Sequence, residues 1–174
     1  PEEFREDVDR EKEARRKEIE GLKIKFFISL VLGLPLLYFV MGPQIGLTLP
    51  NIIEQNLILI QFFLATPIMA VGYEFFVRGF RSVIMARTAN MDTLIALGTG
   101  TAYIYSLALS ILVLLGSKEY TAHDMYYEIA GLLIMFILLG KYLEAIVKGK
   151  ASEAIRKLLG LQAKTATVIR KGKE

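Results

Sequence analysis

Between Leu94 and Gly116 the chain runs for 23 residues without a charge. A helix of that length spans about 35 Å, more than the roughly 30 Å hydrocarbon core of a bilayer. Three further apolar runs, at about 22–42, 56–77 and 125–148, are close to the same length. Lipid offers no partner to backbone N–H and C=O groups, so such runs must be helical to enter it. The expectation is an all-α membrane protein. Four transmembrane helices (about 22–42, 56–77, 92–116 and 125–148) would form a transmembrane region over 22–149. An interfacial amphipathic helix at 78–88 would join the second span to the third. The hydrophobic residues, 53% of the chain, are too segregated for a soluble globule.

The charged residues sharpen the topology. Of 21 Lys and Arg, 20 fall before Phe26, between the second and third runs, or from Lys141 onward. The other is Lys118, in the polar stretch SKEYTAHD. The positive-inside rule then puts both termini in the cytoplasm of a multi-pass protein in the cell membrane. Residues 1–21 alternate acid and base at i,i+4 (Glu6–Arg10, Glu11–Arg15, Glu13–Lys17), the pattern of a solvated helix. Basic residues massed beside apolar runs argue for the lipid bilayer as partner and against nucleic acid. The absence of cysteine excludes disulfides, cysteine zinc sites and thiolate copper sites within this chain.

Local signals mark the joints. Gly33 and Pro35 interrupt the first run, and Gly42-Pro43 marks a turn into the loop 43–55. Asn90 suits an N-cap, and Asp92 the positive end of the helix that follows. Gly98, Ala102, Ser106 and Ser110 recur every four residues, a stripe on which another helix can approach closely. After the second run, Arg78, Arg81 and Arg87 alternate with Phe80, Val83, Ile84 and Met85, as in a helix lying in the membrane interface. Gly72 or Gly79 would supply the bend into it. Residues 150–174 read as a linker helix ending near Gly160 and then a β-strand. A lone strand is not stable, so the chain is expected to be a piece of a longer one that breaks off at the start of a β-rich domain.

The chemistry centres on three residues. Glu128 and Glu144 lie on one apolar helix, 16 residues or about 24 Å apart. Ionisable groups in a span are costly and mark ion paths. In a hairpin of spans three and four, Met91 and Glu144 fall at the same inner end. A thioether favours Cu(I), and a carboxylate adds charge attraction. Glu128 falls at the outer end, with His123, Asp124 and Met125 just before it. The competing structural reading is an interfacial ion pair of Glu144 with Lys148 or Lys141.

The stretches TANMDTLIALGTGTAYIYS and YYEIAGLLIMFILLGKYLEAIVKGKASEAIRKLLGLQAKTATVIRKGKE resemble the heavy-metal P-type ATPases, in particular the archaeal and bacterial copper exporters. The resemblance implies a Cu(I)-transporting translocase in the intact protein, with 150–174 leading into its actuator domain. It assigns the metal residues as Met91 and Glu144 for intake and Glu128 for release. Arg78, Arg81 and Arg87 become a docking platform for a copper chaperone or N-terminal metal-binding domain. The family's Gly pair at the platform bend reads Gly72-Tyr73 here. ATP and Mg would be bound by other parts of the pump, so this chain has no catalytic residue of its own. The remaining transmembrane helices and cytoplasmic domains of that pump would be its partners. The alternatives are a zinc or cadmium pump of the same superfamily, and a non-enzymatic four-helix membrane scaffold.

Overall fold

The computed structural model describes residues 2–160, with side chains over 10–151. Six α-helices follow one another: α1 (Glu2–Met41), α2 (Asn51–Gln55), α3 (Leu57–Val71), α4 (Tyr73–Ala86), α5 (Met91–Leu114) and α6 (Tyr127–Gly160). Single 3-10 turns sit at Pro43–Ile45 and Ala122–Asp124. No strand occurs among the described residues, and the strand expected after Gly160 lies outside them.

The charged lead-in and the first apolar run form one helix. α1 passes through Gly21, Gly33 and Pro35 unbroken. The ion pairs Glu11–Arg15 (2.8 Å) and Arg16–Glu20 (3.1 Å) support its polar part. α6 is as continuous. The two helices pack side by side, with Phe26 stacked on Tyr142 at 6.3 Å between ring centres. They stay together past the apolar region, where Arg15 Nη1 donates to the Lys148 carbonyl at 3.2 Å.

α5 runs antiparallel to α6: Asp92 meets Lys141 at one end and Ser110 meets Met125 at the other. α3 runs parallel to α6, since Phe62 faces Tyr127 and Gly72 faces Ile134. One end of the bundle therefore carries the loops before α3 and α6. The opposite end carries the start of α1, the α4–α5 junction and the end of α6. The core between them holds Leu36, Ala65, Ile68, Phe75, Tyr127, Ile134 and Leu138, all nearly inaccessible. Where such helices lie in lipid, packing and interhelical hydrogen bonds hold them rather than the hydrophobic effect. Thr66 shares a hydrogen bond with the Tyr103 hydroxyl (2.7 Å), and Ser110 with that of Tyr127 (3.0 Å).

Among the described residues, three helical segments are long and apolar enough to cross a membrane: Arg10–Met41, Met91–Leu114 and Tyr127–Ala151. The second apolar run is not one straight helix. It breaks at Gly72, where α3 and α4 meet at 58°, and counts as a fourth span only if the bent pair is taken together. Gly79 lies inside unbroken α4, so the bend belongs to Gly72.

Candidate functional site

At the end of the bundle opposite the loops, Asn90 caps α5. Its side chain accepts from the Thr93 N–H (2.9 Å), and the Thr93 hydroxyl accepts from the Asn90 N–H (3.3 Å). This cap makes Met91 the first residue of α5, with 67% of its surface exposed. Its neighbour Asp92 faces Lys141 at 4.0 Å, and the Lys141 ammonium lies 5.9 Å from the centre of the Phe75 ring.

Glu144 is one turn further along α6 and pairs with Lys148 at 2.6 Å. It lines an open groove of about 1060 Å³ between α1, α4 and α6, together with Lys25, Glu74, Arg78 and Lys141. Met91 and Glu144 thus share an end of the bundle. The carboxylate faces the groove, whereas the thioether is on the exposed surface and is not among the groove's lining residues. Of the two lysines near Glu144, Lys148 takes the carboxylate and Lys141 turns to Asp92.

α4 has three faces. Phe75 and Gly79 are buried against the bundle. Tyr73, Val77, Phe80 and Ile84 form an exposed apolar stripe. Glu74, Arg78 and Arg81 lie between the two. Arg78 pairs with Glu74, which also takes the ammonium of Lys25 from α1. Arg81 and Arg87 are exposed, and neither makes an ion pair among the described residues. Arg87 ends the helix in a left-handed conformation (φ 49°), its N–H bonded to the Ser82 carbonyl.

At the loop end, Glu128 sits in the first turn of α6, half-buried, with its Oε2 sealed from solvent and lacking a hydrogen-bond partner. Met125 is buried, and its sulfur accepts from the Ser110 hydroxyl at 3.3 Å. His123 is exposed. Asp124 accepts from the Thr121 N–H (2.7 Å) and hydroxyl (2.9 Å), which hold its carboxyl below the usual carboxylate range. Asp124 is thereby committed to a turn, while the Met125 sulfur and Glu128 Oε2 are buried at this end. Sequence reasoning passed over Gln61, fully buried on α3 near this end. Its signal was present: a lone amide in the apolar run LILIQFFLATPIMAV.

Fold and site together define a multi-pass helical membrane protein with carboxylates and thioethers at both ends of its bundle. The chain is 40% identical over 170 residues to a copper-exporting P-type ATPase of Bacillus subtilis, covering 95% of this chain and 21% of that protein. It is 39% identical over 142 residues to the probable copper-transporting ATPase PacS of Synechococcus elongatus (82% and 17%). A copper-exporting P-type ATPase of Staphylococcus epidermidis matches at 36% over 161 residues (92% and 20%). No protein-family model and no solved structure matches. Over most of its length the chain is similar to copper-exporting P-type ATPases, and it spans about one fifth of the length of the relatives it matches.

Proposed function

We propose that this chain is the membrane part of an ATP-driven Cu(I) exporter, providing cytoplasmic metal intake and part of the outward path. The observation that carries the reading is the relation to copper exporters over 95% of the chain. The placement of Met91 and Glu144 at one end of the bundle and Glu128 at the other supports it. Four spans, with the α3–α4 pair as a broken one, run from cytoplasm to cytoplasm in the cell membrane. The charge asymmetry supports that orientation. Soft Cu(I) is first met by the Met91 thioether, and Glu144 adds negative charge once Lys148 moves aside. Two mismatched ligands bind weakly, which suits a site that must pass its ion on. Glu128 assists release at the loop end.

The exposed guanidinium groups of Arg81 and Arg87, with Arg78, form a docking platform for an acidic copper chaperone or metal-binding domain. α4 holds them in the interface with its apolar stripe in lipid. Residues 150–174 lead into an actuator domain, and α6 passes its motion to the membrane. ATP and Mg are bound by parts of the pump outside this segment. The test is copper-stimulated ATP hydrolysis by the full-length pump. Met91→Ala and Glu144→Ala should each raise the copper concentration needed for half-activation. Unchanged activation in both would remove the intake assignment, and activation by zinc or cadmium but not copper would reassign the metal.

A further inference from the structure

Gln61 is completely inaccessible in the middle of the buried stripe of α3. Its Nε2 donates to the Ala122 carbonyl, 3.3 Å away, in the turn that leads into α6. Its Oε1 is sealed from solvent and has no hydrogen-bond partner. Leaving such an acceptor bare forfeits the hydrogen bonds it makes to water in the unfolded chain. Leucine would fill the same space without that cost.

A second orphan lies at the same level. Among the described residues, Gln61 Oε1 and Glu128 Oε2 are the two buried side-chain polar atoms without a partner. α3 and α6 run parallel, with Ala65 against Gly131 and the rings of Phe62 and Tyr127 6.0 Å apart. Gln61 is one turn before Ala65, and Glu128 one turn before Gly131. Met125, 1% exposed and three residues before Glu128, adds a thioether at this end. An amide oxygen and an ionised carboxylate oxygen are both acceptors and cannot satisfy one another. What satisfies both is a cation or a donor.

We propose that Gln61 is a further ligand of the release site: its amide oxygen joins the Glu128 carboxylate and the Met125 thioether in holding a soft monovalent cation before it leaves. This rests on reading the segment as part of a cation pump. The thioether matches Cu(I), while the two oxygens are hard and match it poorly. The carboxylate neutralises the charge, and the poor match keeps the ion loosely held. The bond from Gln61 Nε2 to the Ala122 carbonyl holds the amide nitrogen on the loop and leaves the oxygen unbonded.

The experiment uses the full-length pump and reads both the maximal copper-stimulated ATPase rate and the half-activating copper concentration. Gln61→Leu should lower the maximal rate about tenfold and leave half-activation unchanged. Gln61→Glu keeps the acceptor and loses the donor to Ala122, so it should retain most of the rate. Should Gln61→Leu fail to insert, Gln61→Asn, which withdraws the oxygen by one methylene, carries the same expectation. Equal losses in Gln61→Leu and Gln61→Glu would make Gln61 a loop anchor only and overturn the proposal. Wild-type turnover in Gln61→Leu would overturn it as well. Glu128→Gln separates the two levels. Normal turnover there removes the release site itself, whereas slowed turnover beside a normal Gln61→Leu removes only the Gln61 ligand.

Discussion

Gly79 of α4 lies so close to Asp92 of α5 that a β-carbon there would sit 2.8 Å from the Asp92 carbonyl oxygen and 3.0 Å from the Thr93 Cα. The neighbours are backbone atoms at a capped helix start and cannot swing aside. The Gly79 carbonyl is also 3.2 Å from the Thr93 hydroxyl. Gly79→Ala should therefore destabilise the α4–α5 junction by about 1–3 kcal/mol, the usual cost of overpacking. Thermal unfolding of the purified protein in detergent reads it. Gly98→Ala is the control, because a β-carbon there meets nothing within 4 Å.

Gly72 is the milder case. A β-carbon there would lie 2.7 Å from Ile134 Cγ2 and 3.1 Å from its Cδ1, both side-chain atoms. Gly72→Ala should cost less than Gly79→Ala. Combined with Ile134→Ala, it should destabilise by about 1 kcal/mol less than the sum of the single changes. Strict additivity of the two would mean that they do not touch.

Glu74 ties α4 to α1 by taking Lys25 while also holding Arg78. The Lys25 and Glu74 side chains are 29% and 33% exposed, so the pair is only partly desolvated. Lys25→Ala and Glu74→Ala should each destabilise by about 1 kcal/mol and be non-additive in a double-mutant cycle. High salt should reduce the coupling without abolishing it.

The turn before α6 should respond to acid. Hydrogen bonds from Thr121 depress the folded pKa of Asp124 below its unfolded value, about 3.9 for a free aspartate. A depressed carboxylate pKa contributes stability that is complete above the unfolded value and lost as pH falls through the folded one. Amide exchange over residues 121–126 should stay slow at neutral pH and accelerate below about pH 4, relative to the rest of the loop. In Asp124→Asn that acid-dependent step should vanish. A wild-type profile in the variant would show that another group controls the turn.

Much of this architecture is readable along the chain because it is local. The length of the run from Leu94 announces α5, Asn90 announces its cap, and Gly72 offers a break just before the alternating pattern of α4. The Glu144–Lys148 pair follows from helical spacing alone. The contacts that join helices are not local. Nothing near Arg15 in sequence points to the Lys148 carbonyl, 133 residues away, and nothing near Lys25 points to Glu74. Those depend on which faces meet and at what register. Met91 shows the same limit: spacing puts it at the level of Glu144, yet the direction of its side chain is set by how α5 sits against its neighbours. Gln61 could be noticed as a polar residue in an apolar run. Its bare oxygen became visible only once α3 lay parallel to α6.

The most direct test of the account is ATP-driven metal accumulation in everted membrane vesicles containing the full-length pump. The account predicts uptake of Cu(I) that requires ATP and falls in Met91→Ala, Glu144→Ala and Glu128→Ala. Vesicles that accumulate zinc but not copper, or that accumulate copper equally well with all three side chains removed, would contradict it.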